Sequence, residues 1–521
     1  MRNLVAEFSK YGAILSPSSS VSLPLSGAGV YPDRCFFRLK EPLSPQIINE
    51  IKKVAWSNFI GQTGLQNSHY SYFQIYIVQE NIDRSPIQRL NMILDGLELT
   101  ARIDNSNKLD LNKYWADSSF FQNLYKHGYG NDSILPPIKI IYKNGNVSYS
   151  KRFKSVPEIS TAELEKKYPE RYWKALGIQY VRTKDGKINF EQLQENFSDE
   201  IIEDNIIKEL KKAFPDDFKF RHKYFAIVQA DGDNVGSLIK EIEANQGNIL
   251  DFSNALNKFV KEAAEEIVNY GAFPVYMGGD DLLFFAPISN SQYETGVVEF
   301  NQFSDPHYTN ADMKLQGDNI FFLLTKLNKL FKNNLEPIVN QYIEAKPVSL
   351  SFGVSFGYYK KPMNEIQDES YSLLFYNAKL QPKKDFIALR LEKHSGQTFE
   401  FGFNQGSKLY FHFLKLCRAS SDKKENFLNS VMFKINNQQK LICEISNEFH
   451  KLENFFNENF NEAGHKAYKE FFAEVSHIIV ETFNFFSDEK PKSSDQVDMR
   501  IHRVYSTLRF IQFLNALDSH E

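Results

Sequence analysis

Two stretches decide how this chain folds: Tyr224–Gly236, YFAIVQADGDNVG, and Pro274–Ala286, PVYMGGDDLLFFA. The first is an apolar strand, Tyr224–Ala230, running into a cluster of Asp, Gly and Asn. The second is a hairpin, Pro274–Met277 and Leu282–Ala286, turning through Gly278-Gly279-Asp280-Asp281. Between them Phe252, Ala255, Leu256, Phe259, Val260, Ala263 and Ile267 recur at helical spacing and predict one apolar helix face. Beyond the hairpin a second helix carries Ile320, Leu323, Leu324, Leu327, Leu330 and Phe331. A strand follows in which Val348, Leu350, Phe352, Val354 and Phe356 alternate with Ser349, Ser351, Gly353 and Ser355. A helix near Asn364–Lys379 and a strand Phe386–Leu391 complete the unit. The order βα, ββ hairpin, αβ is that of a ferredoxin-like fold. The Ser/Gly face of the strand suits a surface that a ligand or second domain approaches closely, and equally a plain solvated face.

The two acidic clusters carry the chemistry. In a ferredoxin-like sheet the first strand and the hairpin are neighbours, so Asp231, Gly232 and Asp233 can meet Asp280 and Asp281. Clustered carboxylates repel one another, and a divalent cation is the usual remedy. Oxygen-only ligands suit Mg²⁺ or Mn²⁺ rather than zinc. Two such ions can activate a hydroxyl and stabilise a leaving pyrophosphate. The backbone N–H groups of Asp233, Asn234, Val235, Gly236 and Ser237, at a strand-to-helix turn, can cradle a triphosphate. Taken alone, GGDD is also ordinary hairpin-turn chemistry. DGDNVG is not a calcium loop, because Val235 and Ile242 fill positions that need oxygen ligands.

Outward from this core, residues 1–155 read as mixed α/β. A strand is expected at Tyr72–Val78, a helix at Pro45–Ala55 and a loop at 16–29. Residues 156–220 read as a charged, mostly helical connector, with ISTAELEKKYPERYWKAL and DNIIKELKKAF. Residues 401–521 read as all-helical and rich in Phe, a pattern more typical of core than of interface. The 521 residues carry 61 Lys plus Arg against 65 Asp plus Glu, a net charge of −4. That lacks the basic excess of a protein binding nucleic acid alone, although the basic segment 138–154 can touch phosphate or serve as a solvated strand edge. Three cysteines, Cys35, Cys417 and Cys443, support neither a disulfide framework nor a cysteine-built zinc site. No membrane span or signal-peptide core is expected, and a cytoplasmic location fits.

These motifs resemble the palm domain shared by GGDEF-type nucleotide cyclases and the large, polymerase-like subunit of type III CRISPR effector complexes. FAIVQADGDNVGSLI, PVYMGGDDLLFFAP, VSLSFGVSFGYY and LLFYNAKL are most similar to the Cmr (type III-B) subunit. LPLSGAGVYPDRCFF and KSVPEISTAEL resemble that family's N-terminal half. The resemblance implies an α+β chain of four parts. They are an abbreviated N-terminal palm-like domain (1–155), a helical connector (156–220), a catalytic GGDD palm domain (221–400) and a C-terminal helical domain (401–521). It implies a nucleotidyltransferase that makes an adenylate second messenger from ATP on target-RNA binding. The product is either a cyclic oligoadenylate or AMP joined to S-adenosylmethionine. Guide RNA, target RNA and the other Cmr-type subunits are the implied partners.

By the same resemblance Asp231, Asp280 and Asp281 are metal-binding acids, Asp280 and Asp281 are catalytic, and the Gly232 carbonyl adds a ligand. Asp233 to Ser237, Gly278 and Gly279 line the nucleotide. Lys379 matches a phosphate-contacting lysine, with Lys383 and Lys384 as alternatives. Two departures stand out. No His-Asp dipeptide marks a nuclease domain, and only about 30 residues precede the first palm-like segment, too few for one. The cysteines cannot supply the zinc ribbon many members carry. A catalytically silent scaffold and a stand-alone cyclic-dinucleotide synthase are the competing readings.

Overall fold

The computed structural model describes residues 2–16, 34–63, 75–81, 86–100, 137–141, 147–151, 154–176, 178–182, 188–193, 199–293, 298–300, 313–419, 425–460, 468–489 and 498–515. The fold is α+β. Near the N-terminus, α1 (Arg2–Phe8) precedes an antiparallel pair, β1 (Gly12–Ser16) and β2 (Phe36–Leu39), then α2 (Pro45–Thr63) and α3 (Pro86–Thr100). The expected strand at Tyr72–Val78 does not form over its described part, which is extended but unpaired in any ladder.

The helical connector needs correction. It holds the short helices α4 (Val156–Ser160), α5 (Ala162–Lys167) and α6 (Pro169–Ala175), and α7 (Asp199–Ala213). Between them lie two strands, β5 (Ile178–Arg182) and β6 (Ile188–Leu193). These join β3 (Pro137–Ile141) and β4 (Val147–Lys151) in a four-stranded sheet of order β4-β3-β6-β5. IQYVR and INFEQL alternate at a period of two, and a Lys-Asp-Gly turn signal separates them; the surrounding charge masks that pattern. The sheet therefore crosses the expected boundary at residue 155.

The palm is as its pattern predicts. The strands are β7 (Tyr224–Asp233), β8 (Phe273–Gly278), β9 (Asp281–Ala286), β12 (Ser349–Tyr358), β13 (Phe386–Glu392) and β14 (Thr398–Asn404), with a minor pair β10 (Val298–Glu299) and β11 (Lys314–Leu315) outside the main sheet. They are connected by α8 (Val235–Ala244), α9 (Ile249–Tyr270), α10 (Ile320–Val339) and α11 (Met363–Tyr376). The order β14-β13-β12-β7-β9-β8 contains the ferredoxin-like order β12-β7-β9-β8, all antiparallel, extended by parallel β13 and antiparallel β14.

Tyr224, Ala226, Val228 and Ala230 of β7 and Leu350, Phe352, Val354 and Phe356 of β12 face α9 and α10 in one large buried core. The Ser/Gly face of β12 is not open. It is covered by α11, and a Cβ at Gly353 would lie 2.1 Å from the Ser370 carbonyl oxygen. The small residues do permit close approach, as their pattern implies, but the approaching element is the chain's own helix.

The C-terminal helices α12 (Lys408–Ala419), α13 (Glu425–Asn437), α14 (Gln439–Ile445), α15 (Phe449–Asn459), α16 (Lys469–Phe485) and α17 (Met499–Leu514) share the palm core. Phe510 packs edge-on against Phe321 and Phe401 and tilted against Phe356, at ring distances of 5.7, 5.2 and 4.8 Å. The Phe stripes are thus core. The boundary at residue 400 falls inside β14, so the region 401–521 is not purely helical.

Candidate functional site

The end of β7 and the tip of the β8–β9 hairpin meet at one edge of the palm sheet. The ladder between β7 and β9 ends at Ala230↔Leu282. One residue further on, Asp231 and Asp281 stand opposite each other, on the same face as Gln229 by the two-residue period. The hairpin turns through Gly279 and Asp280. Gly279 adopts φ +74°, the pattern of a type II′ turn, which needs glycine at that position. The turn points Asp280 back at β7: a Cβ placed on Gly232 would lie 2.7 Å from the Asp280 Oδ2 and 2.6 Å from Val235 Cγ2. Gly232 is therefore required for close approach, beyond any role for its carbonyl. A Cβ on Gly278 would meet the Tyr276 ring, with its hydroxyl oxygen 2.1 Å away.

Asp280 is half-buried, and its carboxyl is pushed up to about 6, first by burial and then by the negative charge of Asp231; Lys379 opposes the shift. The exposed Asp281 borders a recess of about 300 Å³ shared with Tyr276, Gln367 and Tyr371.

The second acid of the DxD spacing behaves differently. Asp233 is 1% exposed. Its Oδ2 accepts hydrogen bonds from the hydroxyls of Ser349 and Ser351, both at 2.7 Å, and from the Asp385 backbone N–H at 3.0 Å. Its Oδ1 accepts from Lys379 Nζ at 2.8 Å. Asp233 is a clamp between β7, β12 and the start of β13, with neither oxygen turned toward a nucleotide. The serines that hold it are those of the small-residue face of β12. Asp385 reaches it from a left-handed conformation, φ +68°, and is itself held by Asn328, Lys332 and Gln405. The seryl pattern was visible in the sequence; the participation of Asp385, Asn328 and Lys332 was not, because each lies far away along the chain.

Lys379 sits in the short 3-10 turn Ala378–Leu380 after α11. Its ammonium donates to the carbonyl oxygens of Asp231 (2.9 Å) and Gly232 (2.8 Å) and pairs with the Asp231 carboxylate. It meets the acids and not an open phosphate site. Lys384 donates to the Lys379 carbonyl, and Lys383 is exposed.

Asn234 takes φ +62° and donates through Nδ2 to the Pro347 carbonyl at 2.7 Å, so its side chain does not cap α8. The first-turn N–H groups of Val235, Gly236 and Ser237 are consequently left for an anion. Nothing crowds Gly236, whereas the Val235 side chain is core and only its backbone faces outward.

The donor types gathered here, the carboxylates of Asp231 and Asp280 and the nearby Gly232 carbonyl, are those a hard divalent cation takes. Among the described residues no group of three or more His, Cys, Asp or Glu side chains is yet arranged as a metal cage, and no helix is long and apolar enough to cross a membrane.

Residues 224–388 match the family model for Cas10/Cmr2, second palm domain. No curated protein matches the sequence. Among solved structures, the chain is similar to a type III-B Cmr-beta structure bound to cognate target RNA, at 12% identity and a TM-score of 0.39, covering 90% of this chain and 61% of that one. It is also similar to Cmr-beta in the apo state, at 12% identity and a TM-score of 0.29, covering 70% and 47%. A third is a Csm1–Csm4 cassette in complex with cA4, at 10% identity and a TM-score of 0.28, covering 65% and 40%. The chain thus spans less than two thirds of each of these solved chains. The matched residues run from the start of β7 into β13 and include the hairpin and the acids, so over 224–388 the chain is similar to the second palm domain of Cas10/Cmr2.

Proposed function

We propose that this protein is the nucleotidyltransferase subunit of a type III CRISPR effector complex, and that it makes an adenylate second messenger from ATP. The observation that carries the reading is Asp280 packed against Gly232 and within charge range of Asp231, beside a first turn of α8 that no side chain caps. In this reading the N–H groups of Val235, Gly236 and Ser237 hold the triphosphate. Asp231, Asp280 and Asp281 hold Mg²⁺ or Mn²⁺, which supplies charge neutralisation for in-line displacement and pyrophosphate release. Asp233 holds the end of β7 in register, and Lys379 holds Asp231 and Asp233 together. The acceptor is a second ATP, giving a cyclic oligoadenylate, or S-adenosylmethionine. Guide RNA, target RNA and partner subunits of the Cmr type are proposed to switch the activity on; the family match over the palm supports this assignment.

The test is to assemble the full chain with such subunits, guide and target RNA, and to supply ATP with Mn²⁺ or Mg²⁺, with and without S-adenosylmethionine. Mass spectrometry is expected to find a new adenylate product that disappears in the Asp280→Ala/Asp281→Ala double variant. Undiminished product from that variant sinks the site. No product under any condition leaves a scaffold role, and product without RNA or partners points to a stand-alone synthase.

A further inference from the structure

We infer, building on the metal-dependent reading above, that Lys379 is a tethered cation standing in for the divalent ion: it holds the ion's ligands together and yields its place when the ion binds. The Lys379 ammonium has oxygen neighbours on several sides. They are the Asp231 carbonyl at 2.9 Å, the Gly232 carbonyl at 2.8 Å, Asp233 Oδ1 at 2.8 Å and the Asp231 carboxylate. Four oxygens exceed the three protons an ammonium can donate, so the arrangement is the coordination of a cation more than one directed hydrogen bond. Two of the four, the Asp231 carboxylate and the Gly232 carbonyl, are oxygens of the kind a hard metal ion takes, and the Asp231 charge is near enough to Asp280 to raise its carboxyl.

The side chain is only 14% exposed, so its charge is poorly screened. An ion on the Asp231 carboxylate and an ammonium on the same group repel each other strongly, and the two cannot share it in this arrangement. Lys379 is built to leave. Its backbone is fixed by the turn after α11 and by Lys384 donating to its carbonyl, while its four-carbon stem can swing the ammonium without moving either. Asp233 completes the device, for its Oδ1 gives the ammonium a fixed point from which the ion's own ligands are unaffected.

The consequence is a signature no purely structural residue gives. Neutralising Lys379 tightens ion binding while it weakens turnover. Mn²⁺ titrated into the full-length protein, with free ion followed by electron paramagnetic resonance, measures this directly. Lys379→Met and Lys379→Gln are expected to lower the Mn²⁺ Kd about tenfold, and both are expected to reduce product formation in the assembled complex. Glutamine keeps a hydrogen-bond donor without the charge, so tightening in both variants assigns the effect to charge. If one of the two fails to fold, the other still decides. An unchanged or raised Kd overturns the stand-in role; if Asp231→Asn still abolishes binding in that case, the metal site itself survives. Mn²⁺ binding that persists undiminished in both Asp231→Asn and Asp280→Asn overturns the metal reading and this inference together.

Discussion

Asp231 and Asp233 are two residues apart on one strand and do opposite work. Asp231 is turned to the hairpin tip, while Asp233 has four donors and 1% exposure. Removing a buried acceptor leaves donors without partners, at roughly 1–3 kcal/mol for each group left buried and unsatisfied. Asp233→Ala is therefore expected to lower unfolding stability by about 2–4 kcal/mol in a urea titration. Asp231→Ala gives up the Lys379 pair but relieves the repulsion that raises Asp280, and is expected to cost less than Asp233→Ala without metal. Equal losses from the two variants would refute this division. The DxD spacing was legible in the sequence, yet nothing local told its two acids apart. That difference is made by Ser349, Ser351 and Asp385, more than a hundred residues on.

At the level of elements, the alternation of β12 is as its sequence predicts, but the face of small residues left a close neighbour and open solvent equally possible. The neighbour is α11, whose backbone at Ser370 and Leu374 occupies the space a side chain at Gly353 would need. Gly353→Ala is expected to lose at least about 2 kcal/mol of stability by overpacking, because backbone atoms cannot move aside as a side-chain tip can. Thermal unfolding measures this, and a variant as stable as the parent would show α11 free to shift. The βα, ββ, αβ order was legible for the same reason that β12 was: long apolar periods of two and 3.6 leave little choice. The connector strands β5 and β6 were not, since short strands partnered by distant β3 show their pairing only in the folded sheet.

Across the whole molecule, the connector is fastened to the palm by a buried cluster. Glu163 accepts from Arg221 Nη2 at 3.2 Å and from Ser291 Oγ at 2.6 Å, and it contacts His222 Nε2 at 3.3 Å. Burial alone would raise the Glu163 carboxyl, but the His222 hydrogen bond and the Arg221 charge outweigh it and hold it well below its ordinary 4.5. Burial pushes His222 below its ordinary 6.5. Both shifts are downward, so their stabilisation is present at neutral pH. The His222 part fades as pH drops below 6.5 and the Glu163 part below 4.5. Glu163→Gln is expected to cost about 2 kcal/mol at pH 7, with the gap from the parent narrowing on acidification below 4.5. A gap that widens there contradicts the sign.

The ring of Phe510, lodged among Phe321, Phe356 and Phe401, ties the last described helix to the middle of the six-stranded sheet. A fragment cut at residue 400 would sever β14 and strip the aromatic cover from β12, β13 and α10, leaving a sticky apolar slab where the whole protein has an interior. Whatever grips the C-terminal helices from outside is therefore pulling on the same solid body that carries the acids.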